Sequence, residues 1–266
     1  MSAVGRQDLQ EYLKDTVWGV CPFETVREYL LPVRSRERIP ANAKSILVFA
    51  FPYLLEEEIY TDARLSRFAV PADYHILCGE VLQQCCQRLA QGFPDHTFVH
   101  FADASPIPEV SAAVAAGLGA VGKNGLLLTE KYGSWVFLGE IVTDLDVQCE
   151  VSAHRVCIGC NKCMQACPTG ALSADGFRLE KCLSHISQKK KLTEEEIKIL
   201  KKNNTLWGCD RCQTACPYNA NAQTTFMEGF RATAQTMLTR DDPERVYMWR
   251  GDAIFRNLEL LEDDNK

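Results

Sequence analysis

Residues 157–168 read CIGCNKCMQACP, and residues 209–217 read CDRCQTACP. The first stretch sets Cys157, Cys160, Cys163 and Cys167 in the spacing C-x2-C-x2-C-x3-C before Pro168. The second repeats C-x2-C-x3-C with Cys209, Cys212 and Cys216 before Pro217. A four-iron cubane needs four thiolates around a compact core, and a loop of closely spaced cysteines supplies three of them at small entropic cost. In two-cluster ferredoxins the cysteine preceding proline ligates the neighbouring cluster. The same rule here gives one cluster Cys157, Cys160, Cys163 and Cys216. The other takes Cys167, Cys209, Cys212 and a fourth ligand, for which Cys182, between the two motifs, is the natural candidate. Zinc also uses C-x2-C pairs, but two sets that each close on Cys-Pro suit a pair of [4Fe–4S] clusters better.

The whole chain bounds the setting of this centre. With 266 residues it can build one large domain or two ordinary ones without disulfide staples. The first thirty residues mix charges with apolar side chains, which excludes a signal peptide and a membrane span. A non-exported, cytoplasmic protein without membrane partners is expected, in which thirteen cysteines stay reduced and clustered ones act as ligands. A net charge of −6 argues against a broadly basic nucleic-acid-binding surface.

Up to about residue 150 strand-like and helix-like segments alternate. Residues 44–51 (KSILVFAF), 96–101 (HTFVHF) and 134–143 (SWVFLGEIVT) read as strands. Over residues 72–89, Leu82, Cys85, Cys86 and Leu89 fall on one helical face, so both cysteines are expected in the core. A second helix is expected to start at Pro108, with Glu109 at its positive end and Gly117 as its stop. Residues 117–125 (GLGAVGKNG) fit neither the Walker nor the dinucleotide spacing and read as a tight connection. Cys21, Cys78 and Cys149 have no ligand company and are taken as structural. After Cys149 cysteine, proline and glycine crowd together, which sets a boundary at 150. Residues 193–202 read as a capped helix with Thr193 as N-cap and Glu196 closing a capping box. The lysines at 189–191 and 201–202 are read as a solvated face.

Residues 66–75 (SRFAVPADYH), 101–109 (FADASPIPE), 116–124 (AGLGAVGKN), 132–144 (YGSWVFLGEIVTD) and 207–219 (WGCDRCQTACPYN) together resemble the epoxyqueuosine reductases of tRNA queuosine synthesis. The resemblance covers roughly residues 40–220. It implies an α/β (α+β) corrinoid-binding domain at 1–150, a ferredoxin-like domain with two [4Fe–4S] clusters at 151–225 and a short helical tail at 226–266 that packs back on the body. It further implies a cobalamin-dependent reduction of epoxyqueuosine to queuosine, fed by an external low-potential electron donor.

The resemblance also assigns residues. The proton donor falls on Asp103, which taken alone reads as a strand-end aspartate. Burial against the corrin would raise its carboxyl pKa and keep it protonated. Corrinoid contacts fall on Lys123, Asn124, Gly133 and Ser134, with Ser184 and Asp210 where the second cluster faces the cofactor, and Arg67, Tyr74 and His75 match a further family stretch. His75 also reads as an ordinary hydrogen-bonded helix histidine. Two departures stand out. Full-length relatives continue into a helical-repeat region that helps to bind tRNA, and a short form without it is expected here. After Cys182 the chain reads LSHISQKKK where the family shows a more apolar run. The substrate is therefore tRNA, a free modified nucleoside or a related small molecule. The rival reading is an electron-transfer protein that reduces a corrinoid held elsewhere.

Overall fold

A computed structural model describes residues 3–71, 73–149, 156–234 and 251–262. After a short helix, α1 (Arg6–Leu9), the chain enters β1 (Val17–Pro22), crosses a run of 3-10 turns and forms β2 (Ser45–Pro52). Helix α2 (Tyr74–Gly92), strand β3 (Phe98–Phe101) and helix α3 (Glu109–Ala115) follow, then a small hairpin of β4 (Ala120–Val121) and β5 (Leu127–Leu128), and β6 (Val136–Thr143). The main sheet has the order β1-β2-β6-β3 with every neighbouring pair antiparallel.

Strand β2 explains the layering. All of its residues are buried, as expected for a strand covered on both faces. Leu47, Phe49 and Phe51 point to one side and pack with Cys78, Leu82, Cys85 and Leu89 of α2. Ile46 and Val48 point to the other side and pack with Ala112 and Ala113 of α3 and with Ala116 just after it. The sheet thus sits between two helical layers. The three expected strands and both helices are present. The antiparallel pairing gives the α+β form of the expected class, and β1 is an additional strand.

Helix α2 begins where Asp73 caps it, its Oδ1 accepting from His75 N at 3.0 Å. Helix α3 ends at the expected glycine: Gly117 has φ +83° and Leu118 N reaches back to Ala113 O at 3.0 Å. Cys85 is fully buried and Cys86 packs at the core edge. Cys21 and Cys78 are buried as well, whereas Cys149 is exposed, against its expected structural role. The expected boundary at 150–151 lies outside the described residues.

From residue 156 the elements are short: α4 (Lys162–Gln165), a hairpin of β7 (Leu172–Ser173) and β8 (Gly176–Phe177), α5 (Leu183–Gln188), α6 (Glu194–Asn203) and α7 (Arg211–Thr214). Helix α6 carries the expected capping box, Glu196 N donating to Thr193 Oγ1 and Thr193 N to Glu196 Oε2 at 2.9 Å. The basic face is less free than expected, because Lys189 pairs with Glu196.

The tail returns to the body, as expected. Helix α8 (Glu228–Ala232) buries Phe230 in the core beside α2, while α9 (Gly251–Glu262) inserts Ile254 and Leu258 beside Leu65, Leu206 and Trp207. Asn257 of α9 is buried and donates from Nδ2 to Ser187 O and Leu206 O, both at 2.8 Å. No described helix is long and apolar enough to cross a membrane. Leaving a buried carbonyl without a donor costs about 1–3 kcal/mol. Asn257→Ala is therefore expected to destabilise the chain by about 2–4 kcal/mol, read as a lower midpoint in chemical denaturation, while Asn257→Asp, which keeps the shape but loses both donors, should fall at least as far.

Candidate active site

The eight motif cysteines separate into two groups of four. Cys157, Cys160, Cys163 and Cys216 line one hollow, walled by Gly122, Lys123 and Asn124 of the glycine-rich connection. Cys167, Cys182, Cys209 and Cys212 line a second, larger cavity of about 510 Å³. This is the crossed partition that the Cys-Pro rule predicts, with Cys182 in the fourth place. All thirteen cysteines are free thiols. Among the described residues, no three His, Cys, Asp or Glu side chains converge as a single ion requires.

The second cavity is a cleft lined by its four thiols together with the apolar side chains Tyr53, Val136, Phe137, Leu172 and Phe177. A mostly apolar lining with a few placed polar groups is the usual character of a ligand site. Asn124 supplies one of these groups: it lines both hollows, and its side chain hydrogen-bonds Cys212. Ser134, Ser184 and Asp210 also line the cleft.

A hydrogen-bonded seam ties this lining together. Asn219 Oδ1 accepts from Ser134 N at 2.7 Å, while its Nδ2 donates to Ser134 Oγ at 2.9 Å and to Gln213 O at 2.8 Å. Gly133, at φ +56°, passes so close that an added Cβ would overlap Asn219 Oδ1. Its part is therefore close backbone approach to this seam. Asp210 accepts from Arg67 N, and burial pushes its carboxyl up to about 6.

Other expected contacts are placed differently. The Arg67 guanidinium forms a two-point pair with Glu57 and lies over the Tyr60 ring at 4.3 Å, in a polar recess beside the cleft. Lys123 faces the first hollow, its Nζ donating to Asn161 Oδ1 at 2.6 Å. Tyr74 stacks on Phe137 with ring centroids 4.0 Å apart and carries His75 on its other side at 4.1 Å. A series of contacts from the cleft toward Asp103 therefore runs through Phe137, Tyr74 and His75.

His75 pairs with Asp103, Nε2 to Oδ2 at 2.7 Å, and with Asp73 through Nδ1. The hydrogen bond to Asp103 is the main cause that raises the His75 pKa, and the same bond lowers that of Asp103. In the protein alone the Asp103 carboxyl shifts downward, because its side chain is 54 % exposed and hydrogen-bonds a histidine. The pair favours a proton on His75 and a charge on Asp103. Asp103 and Ala104 both adopt positive φ, +53° and +42°, a strained turn of the kind found at functional sites. Ser35 Oγ holds it by donating to Ala104 O at 2.7 Å.

Sequence reasoning named neither Asp73 nor Glu140 as part of this acid network. Glu140 had a visible signal, a lone charge amid SWVFLGEIVT, and it is completely buried.

Family models match in two places: "Epoxyqueuosine reductase QueG, DUF1730" over residues 34–104 and a 4Fe-4S double cluster binding domain over residues 156–219. The epoxyqueuosine reductase of Lactococcus garvieae is 35 % identical over 192 residues, covering 70 % of this chain and 54 % of the relative. That of Gloeobacter violaceus is 35 % identical over 194 residues, covering 71 % and 61 %. The chain thus spans a little over half the length of these curated relatives. A solved epoxyqueuosine reductase from Streptococcus thermophilus superposes with a TM-score of 0.77 at 22 % identity over 96 % of this chain and 79 % of that one, which establishes the fold. Residues 34–104 match the family's own model, and the relatives at 35 % identity cover about 70 % of the chain: over most of its length this chain is similar to the epoxyqueuosine reductases, whose fold it shares.

Proposed function

We propose that this chain is a cobalamin- and iron–sulfur-dependent reductase that removes the epoxide oxygen of epoxyqueuosine, in tRNA or in a related small molecule. The observation that carries the reading is the cleft itself. It is lined by Cys167, Cys182, Cys209 and Cys212 and by Phe137, from which ring contacts lead through Tyr74 to the His75–Asp103 pair. Such an arrangement supports a reading in which electrons and a proton reach the same space from different residues. A relative has been solved with an epoxyqueuosine-modified tRNA stem loop, which favours that substrate class.

In this reading residues 1–150 form the corrinoid-binding unit, 151–225 the two-cluster unit and 226–266 the helical tail. Cys157, Cys160, Cys163 and Cys216 would hold the first [4Fe–4S] cluster, and Cys167, Cys182, Cys209 and Cys212 the second. A corrinoid in the cleft would supply a strongly reducing, nucleophilic metal centre able to open an epoxide. Tyr53, Val136 and Phe137 would lie against its apolar face, with Asn124, Ser134, Ser184 and Asp210 as polar contacts. Arg67 and Lys123 would act from beside the cleft, and an external low-potential carrier would feed the clusters.

The chain's own contribution to the chemistry is the proton. His75, charged between Asp73 and Asp103, holds it on Nε2 against Asp103 Oδ2, and Asp103 presents it to the departing oxygen. The turn at Asp103 and Ala104 sets that direction. A solved Bacillus subtilis epoxyqueuosine reductase has its catalytic aspartate loop swung out of the active site, and two successive residues at positive φ would make this loop similarly able to leave.

General acid catalysis contributes about 10²–10⁴-fold, so Asp103→Asn in the reconstituted chain should lower epoxyqueuosine turnover by at least about 100-fold with bound cofactor unchanged. Undiminished turnover would remove Asp103 from the mechanism. The pH dependence has a definite sign. The His75 pKa is raised by its carboxylate partners, so the charged pair is present below that value and activity declines as pH rises through it. Asp73→Asn removes one charged partner while keeping a side-chain helix cap, and should move this alkaline limb to lower pH, with turnover measured across pH as the check.

A further inference from the structure

Removing an epoxide oxygen as water takes two electrons and two protons, while the His75–Asp103 pair stores one proton. Another acid must reload it. The loop that follows Asp103 points to where that acid sits. Two residues on, Ser105 donates from Oγ to Glu140 Oε2 at 2.9 Å and accepts from Ile107 N at 3.1 Å. Glu140 stands in the middle of β6, opposite Val48 on β2 and Phe101 on β3, within the apolar layer beneath α3. Its other oxygen, Oε1, is buried without a partner, and so is Oε1 of Glu109, the first residue of α3.

A bare carboxylate oxygen in such a place is costly, and neutralisation by a proton relieves the cost. Burial pushes Glu109 up to about 7, with the Asp103 charge adding to the rise, and burial together with Glu109 raises Glu140 further. Few charges oppose this. Strand β1 brings only the Cys21 thiol, itself raised by burial. Strands β2, β4 and β5 contain no titratable side chain. Strand β3 brings His100, which burial favours in its neutral form, and Arg38 lies over the Phe101 ring at 4.9 Å with its Nη2 on His100 O. The cation that acts on Glu109 is His75.

We infer that Glu109 and Glu140 form a proton-storing pair behind the Asp103 loop, and that Glu109 supplies the second proton of each turnover to Asp103. The inference rests on the epoxide-reducing reading given above. In this step the Glu109 O–H bond breaks, the proton passes to the Asp103 carboxylate, and no electron moves. The electrons come from the external one-electron carrier through the clusters. Glu109, which is only half-buried as a residue, then regains a proton from water, while Glu140 keeps the pair from ionising twice. Glu109 and Glu140 act through Asp103 and are positioning and supply groups rather than catalytic residues.

The test uses the full reconstituted chain and Glu109→Gln, which keeps the shape and cannot titrate. Difference infrared spectra across about pH 6–8 should show a protonated carboxyl band that titrates in the wild type and is missing in the variant. Single-turnover rates should be level up to about pH 7 in the wild type, but fall about tenfold per pH unit across the whole range in Glu109→Gln. Glu109→Asp should recover part of the level region. A wild type with no titrating carboxyl band overturns the inference even if Glu109→Gln fails to fold, and so does a variant whose pH profile matches the wild type. A wild type that shows the band but converts no epoxyqueuosine sinks the functional reading and leaves only the stored proton.

Discussion

The three-way hydrogen bonding among Ser134, Gln213 and Asn219 is the interaction on which the rest of the site depends. It ties the start of β6, the central strand beside β2, to the turn that carries Cys209, Cys212 and Cys216. Ser134 Oγ donates to Gln213 Oε1 at 2.9 Å, so its hydroxyl both gives and receives within the seam. Buried networks of this kind are stiff when every member is satisfied and costly when one is lost. Without it the cysteine turn could shift against the sheet, and the cleft would lose its fixed width.

A second tie reinforces the first. Arg67 N donates to Asp210, Ser66 N reaches Trp207 O at 2.9 Å, and α9 packs Ile254 and Leu258 over the same junction. Both halves of the chain are therefore parts of one site. The sheet offers Tyr53 and Phe137 to the cleft, the cysteine loops offer the thiols, and neither set lines the space alone. The acid network sits one layer further out, at the end of β3 and the start of α2, where Asp73 both caps the helix and orients His75.

Much of this was legible from residues alone because the signals are local. Cysteine spacing fixed the two groups of four, since the rule that the cysteine before proline crosses over depends only on sequence. The apolar run within 44–51 announced a buried strand, and Thr193 with Glu196 announced a helix start. What was not legible is long-range. Nothing local says that β1 joins the sheet edge, that every strand pairs antiparallel, or that Arg67 turns its guanidinium to Glu57 instead of the cleft. The direction in which the Asp103 carboxyl shifts was not legible for the same reason. Its pKa depends on His75, twenty-eight positions earlier, which replaces desolvation with an ion pair.

The central claim is that this chain holds two clusters and, in the cleft lined by the second group of cysteines, one corrinoid. The most direct measurement is anaerobic reconstitution of the full chain with iron, sulfide and cobalamin, followed by gel filtration and metal analysis. The account predicts about eight iron per chain, from two four-iron cubanes, and about one cobalt comigrating with the protein. Full iron with no retained cobalt would contradict it.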